Sequence, residues 1–158
     1  MQYLILVLIF ISSQVEQIAK TYVKNYSEDG EVVSEGWMQE GVKIGYWFTY
    51  YNNGNLCSKG HYIKDERQEY WYFYDKDGKL SSEGHFKNGK KVRWWVFYNT
   101  KGGIQRKAQY LNNQKEGYCF QYEDKSITKI EKYVRDKKIN EWTDIKSFEK
   151  ENSWSDLK

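Results

Sequence analysis

The chain has 158 residues, 30% charged and 39% hydrophobic, with a net charge of +3, which is the size of one domain and excludes a multidomain enzyme. Twenty-five Lys and Arg against 22 Asp and Glu leave no basic stripe of the kind that collects phosphates, so nucleic-acid binding is not expected. Ile, Val, Leu and Phe number 34, only 26 of them beyond residue 11, whereas Tyr, Trp and Phe number 15, 7 and 7, so the core must be built from rings.

Tyr3 to Ile11 is a run of nine apolar residues. It is far short of the roughly 20 that cross a bilayer as a helix. Its length suits the apolar centre of a signal peptide, and Ser12, Ser13 and Gln14 follow it near a plausible cleavage point, although Met1 and Gln2 carry no positive charge ahead of it. Residues 1–13 are accordingly read as a signal peptide, which favours an exported chain, periplasmic or secreted, over a cytoplasmic one. The alternative for this run is a first strand or capping segment. No Cys follows to support a lipoprotein anchor.

Beyond this run, a shift of 24 residues superposes the chain on itself. Tyr26, Tyr50, Tyr74, Tyr98 and Tyr122 keep the step, as do Gly30, Gly54, Gly78 and Gly102, and then Gly36, Gly60, Gly84 and Ala108. Trp47, Trp71 and Trp95 keep it too, and Tyr22, Tyr46, Tyr70, Trp94, Tyr118 and Trp142 mark where successive units begin. In each unit an aromatic and β-branched stretch such as 46–51 predicts a strand, a turn signal such as Asn52-Asn53-Gly54-Asn55 follows, and the alternating stretch 56–62 predicts a second strand. Each unit is a β-hairpin too small to fold alone. The expected fold is all-β, an elongated antiparallel meander of hairpins over residues 14–142, with residues 143–158 as a C-terminal cap or tail.

Two hairpin registers fit the turns. A two-residue loop at Asn53-Gly54 sets Trp47 opposite Gly60 and Trp71 opposite Gly84, so that a ring covers each bare backbone. A type I turn followed by a left-handed Gly wants Asn, Asp or Ser three residues before that Gly, and Asp75, Asn99 and Ser27 supply it. The turn chemistry favours the second register. It places Tyr46, Phe48, Tyr50, Leu56, Gly60 and Tyr62 on one face, and leaves Trp47, Trp71, Trp95, Phe73, Phe97, His61 and His85 on the other as the candidate binding surface.

The string from Gly45 to Tyr62, G-Y-W-x-x-Y-Y-x-N-G-x-L-x-x-x-G-x-Y, resembles the bacterial variant of the MORN repeat over about Tyr22 to Trp142. The resemblance implies MORN-like β-hairpin repeats without catalytic residues of their own, and many such bacterial proteins carry the label of antitoxin. The chain departs from the pattern where the Gly at position 45 becomes Glu69 and Arg93, the Trp becomes Cys119 and the turn Gly becomes Ser126.

Nothing else points to catalysis, a metal or a cofactor. His61 and His85 hold the same repeat position two strands apart with no further ligand beside them. Cys57 and Cys119 are about five strands apart, too far for a disulfide, and Cys119 in place of a Trp reads as a buried apolar residue. The densest basic run, Lys87, Lys90, Lys91 and Arg93, reads as a solvated loop. Two functions are carried forward. The first is a non-enzymatic protein-binding module, of antitoxin or immunity type, docking a protein partner on its aromatic face. The alternative is an exported cell-envelope protein with a structural, glycan-binding or membrane-surface role. Tryptophans spaced by a structural repeat are also ordinary core, and the two readings of the ladder make opposite demands on its burial.

Overall fold

A computed structural model of the chain describes residues 18–157, and the signal peptide expected at residues 1–13 lies outside them. Among the described residues eleven strands follow one another: β1 Thr21–Tyr26, β2 Val32–Gln39, β3 Val42–Tyr50, β4 Leu56–Ile63, β5 Glu66–Tyr74, β6 Leu80–Lys87, β7 Lys90–Tyr98, β8 Ile104–Leu111, β9 Gln114–Glu123, β10 Ser126–Val134 and β11 Lys137–Trp142. They form one open antiparallel sheet in strict sequence order, the expected all-β meander. A short helix α1, Ile145–Glu149, and a single 3-10 turn at Trp154–Leu157 follow.

Two kinds of turn alternate. Within a repeat the Gly54 amide donates to the Tyr51 carbonyl at 2.9 Å, the Tyr51 amide donates to the Asn55 carbonyl, and Gly54 takes φ +80. The turns at Asp75 and Asn99 repeat this, and both side chains accept amides of their own turn. Between repeats the turns have two residues, both at positive φ, as at Lys64-Asp65 and Asn88-Gly89. Those at Lys64-Asp65, Asn88-Gly89, Asn112-Asn113 and Arg135-Asp136 are each stapled to the preceding repeat. Asp65 accepts the Lys43 amide at 2.8 Å and Asn113 the Lys91 amide at 2.7 Å.

The turn is the expected one, but the register it was expected to impose is overturned. Tyr50 pairs with Leu56, yet Thr49 pairs with Ser58, because Cys57 bulges out of β4. Ser81 bulges in the same way in β6, where its hydroxyl donates to the Phe73 carbonyl at 3.0 Å. This extra residue restores the pairing of Trp47 with Gly60 and of Trp71 with Gly84. A second slip of two residues separates the repeats, where Gly45 in β3 and Glu69 in β5 enter the left-handed region. One face therefore carries Trp47, Thr49, Ser58 and Tyr62 with their repeats. The other carries Tyr46, Phe48, Tyr50, Lys59 and His61 with theirs.

The last repeat is shorter. At Asp124-Lys125 a two-residue turn stands where the others have three residues, so one turn residue is missing; Ser126 occupies the place of Asn55, and Lys125, at φ +71, precedes it as Gly54 precedes Asn55. Beyond this turn the step is 23 and not 24, and Tyr133 takes the position of Tyr62 and Tyr110. Trp142 then corresponds to the Trp47 series and not to Tyr118. The pairing of β10 with β11 slips by one residue instead of two, which turns Trp142 to the opposite face. There it packs on Tyr118 and Phe148, with centroids 6.3 and 5.2 Å away. The Asp144 carboxylate caps α1 by accepting the Ser147 amide, and Phe148, fully buried, plugs the end of the sheet.

Candidate binding face

The tryptophans lie flat on one face. A Cβ on Gly36, Gly60 or Gly84 would stand 2.4, 2.3 or 2.4 Å from the nearest ring atom of Trp47, Trp71 or Trp95, so only glycine admits the ring. Each indole Nε1 donates to a carbonyl of the preceding repeat, those of Trp37, His61 and His85, at 2.9 to 3.1 Å. Exposures of 1%, 0% and 0% make the three rings core, although no second sheet or helical layer lies over them among the described residues. At the fourth step the pair becomes Ala108 and Cys119, both 0% exposed. Burial pushes the Cys119 thiol up to about 11, which keeps it an inert apolar filler.

What covers the indoles is a second tier of rings and then a row of cations. Phe86 stands edge-on to Trp95 at 5.0 Å and Phe73 bridges Trp71 and Trp95 at 6.0 and 5.9 Å. Lys43 lies 4.6 Å above Trp47, Arg67 4.8 Å above Trp71, and Lys91 4.2 Å above Trp95. Lys115 stands 4.3 Å above Tyr133. These four cations are themselves 24 residues apart. A fifth, Arg106, occupies the position held by Ser58 and Ser82 and lies 4.2 Å over Phe97, with its Nε buried and without a hydrogen-bond partner among the described residues. None of the five belongs to an ion pair among the described residues. The Lys91 ammonium is held below the usual lysine range, by burial first and then by Arg106 and Arg67. A cleft of about 370 Å³ opens between Arg67, Phe73, Phe86, Lys91 and Trp95.

The opposite face is charge-balanced by the same period. Its repeat position reads Glu35, Lys59, Glu83 and Lys107. Glu35 accepts the Tyr50 hydroxyl at 2.6 Å and pairs with Lys24 at 3.1 Å, while Glu83 accepts the Tyr98 hydroxyl at 2.5 Å. The Tyr50 hydrogen bond, more than Lys24, holds the Glu35 carboxyl low, and burial more than Glu35 pushes Tyr50 up to about 12. Lys59 and Lys107 lie over Tyr74 and Tyr122, each at 5.9 Å.

Of the residues expected to form one surface, Trp47, Trp71, Trp95, Phe73 and Phe97 do share the ladder face, but the three indoles are its floor. His61 and His85 do not join them. The bulges at Cys57 and Ser81 turn both to the tyrosine face, edge-on to Tyr46 and Tyr70 at 5.1 and 4.9 Å. His61 pairs there with Glu69 at 3.3 Å, whereas burial, and then Arg93, depresses the His85 pKa. Lys91 is not a solvated loop residue: it is half-buried on β7, while Lys87, Lys90 and Arg93 are exposed. The row Lys43, Arg67, Lys91 and Lys115 escapes a reading of charge along the chain. The 24-residue step that found the tryptophans would have found it. Cys57 and Cys119 are free. Comparison with known proteins finds no family model that matches the chain and no curated protein that matches it.

Proposed function

We propose that the chain is a non-enzymatic protein-binding module that docks a partner polypeptide on its ladder face, in the antitoxin or immunity-type role that the bacterial MORN-like resemblance implies. One observation carries the reading. The ladder face bears five cations stacked on rings with no carboxylate paired to them among the described residues, while the tyrosine face neutralises its own charges. Half-buried cations over a ring floor favour an occupant that brings carboxylates and apolar surface together.

Co-expression with the product of the adjacent gene tests this. The two chains should copurify, and the protein should relieve any growth defect the neighbour causes alone. The double substitution Arg67→Glu and Lys91→Glu, with its unfolding transition checked, should weaken the complex by about tenfold or more. Association that withstands this reversal would remove the ladder face as the docking surface.

A further inference from the structure

The spacing of the cations specifies the occupant more closely, on the reading that the ladder face docks a polypeptide. Lys43, Arg67, Lys91 and Lys115 sit on β3, β5, β7 and β9, one on every second strand of an unbroken meander. Strands lie about 4.8 Å apart, so the positive charges recur about every 9.5 Å along a line that crosses the strands. Between them the floor is aromatic, with Phe73, Phe86 and Phe97 standing between Arg67 and Lys91 or beside Lys91. Arg106 adds a second donor group at the Lys91 step, close enough to help depress the lysine, and its buried Nε has no hydrogen-bond partner among the described residues.

We propose that this face binds an acidic segment in polyproline II conformation with a carboxylate at every third residue. That helix has three residues per turn and rises about 3.1 Å per residue, so residues i and i+3 point the same way about 9.3 Å apart, which matches the cation spacing. Its remaining residues meet the rings, and aromatic-lined grooves are what polyproline II ligands dock against. An extended strand repeats on one side at about 6.6 Å and an α-helix at about 5.4 Å per turn, and neither keeps step with the row.

The test uses the full chain and labelled peptides in a fluorescence anisotropy titration. The first peptide is Glu-Pro-Pro repeated about five times. The second has the same composition with its glutamates grouped at one end, and the third has Gln for Glu. The regular peptide should bind about tenfold or more tighter than the grouped one, the Gln peptide should not bind, and Arg67→Glu with Lys91→Glu should abolish the preference. Equal binding of the two acidic peptides, or binding of inorganic polyphosphate as tightly as the regular peptide, would show that charge alone is read and would overturn the proposal. Failure of every peptide would overturn it as well. Should the co-expressed partner still depend on Arg67 and Lys91 in that case, the docking surface stands and only its periodic reading falls. Should it not, both fall together.

Discussion

In the interior repeats Trp71 and Trp95 lie over Gly60 and Gly84 on the ladder face, whereas at the C-terminal end Trp142 lies on the opposite face against Tyr118 and Phe148. The two regions derive from one repeat, and what separates them is one missing turn residue and one shortened slip in the strand pairing. Loss of one turn residue leaves the strand pairing beyond it intact, because the shorter turn feeds the same register. The slip before Trp142 is one residue instead of two, which reverses the side on which that residue emerges. The reversal fits its surroundings. The position that holds Gly60 and Gly84 in the interior holds Glu131 in the last repeat, which no indole could lie across, and Glu131 instead meets Lys138 at 3.6 Å. The ladder thus ends in an ion pair, and the cap is built on the other face, where α1 covers it.

The largest expected effect tests whether the interior indoles are core. Trp71→Ala should cost about 3–5 kcal/mol, read from urea unfolding, because the ring fills the space over Gly60 and supports both Phe73 and Arg67. A loss below about 1 kcal/mol would mean that the second tier alone closes the face. Neighbouring repeats contribute to stability through their shared contacts, so the damage should spread along the sheet.

A smaller effect sharpens the transition between the two regions. Cys119→Trp alone should destabilise by about 1–3 kcal/mol, since the Ala108 methyl occupies the place where the ring must lie. Adding Ala108→Gly should recover at least about half of that loss, a coupling measured by the double-mutant cycle. Absence of coupling would detach the Gly and Trp positions, which the interior repeats show as one packing unit.

Much of this architecture is legible in the 24-residue step, including the strands, the turns with their left-handed Gly and the shared face of Trp47, Trp71 and Trp95. The register is not, because a bulge at Cys57, Ser81 or Thr128 is marked by no residue type and inverts which residues face together beyond it. That single uncounted residue moved His61 and His85 to the wrong face. The missing turn residue is hidden for a different reason. A fixed step of 24 still lands on a tyrosine at Tyr122 and on a tryptophan at Trp142, although the second coincidence joins residues from different positions of the repeat. Charge fails as a guide where it is taken along the chain, since the cations that matter are brought together only across strands.

The smallest effect concerns the slip between repeats, where Gly45 and Gly117 stand at φ +61 and +102 but Arg93 is held at +62. A side chain there strains against its own backbone, so Arg93→Gly should stabilise by about 0.5–1 kcal/mol after the added freedom of the unfolded chain is counted. Arg93 is exposed and lies outside the row on the ladder face, so binding there should not change. The gain should also depend on pH. His85 titrates below its ordinary value of 6.5 in the folded protein, through burial first and Arg93 second, so the folded state takes up its proton less readily than the unfolded chain. Its contribution is complete above about pH 6.5 and is lost as pH falls through that value toward the folded one. Removing the guanidinium lets the folded His85 accept its proton more easily, and the variant should lose less stability on acidification than the parent. Urea midpoints at pH 8 and pH 5 should therefore show a larger advantage for Arg93→Gly at the lower pH, whereas an advantage independent of pH would assign the whole gain to relief of the left-handed backbone.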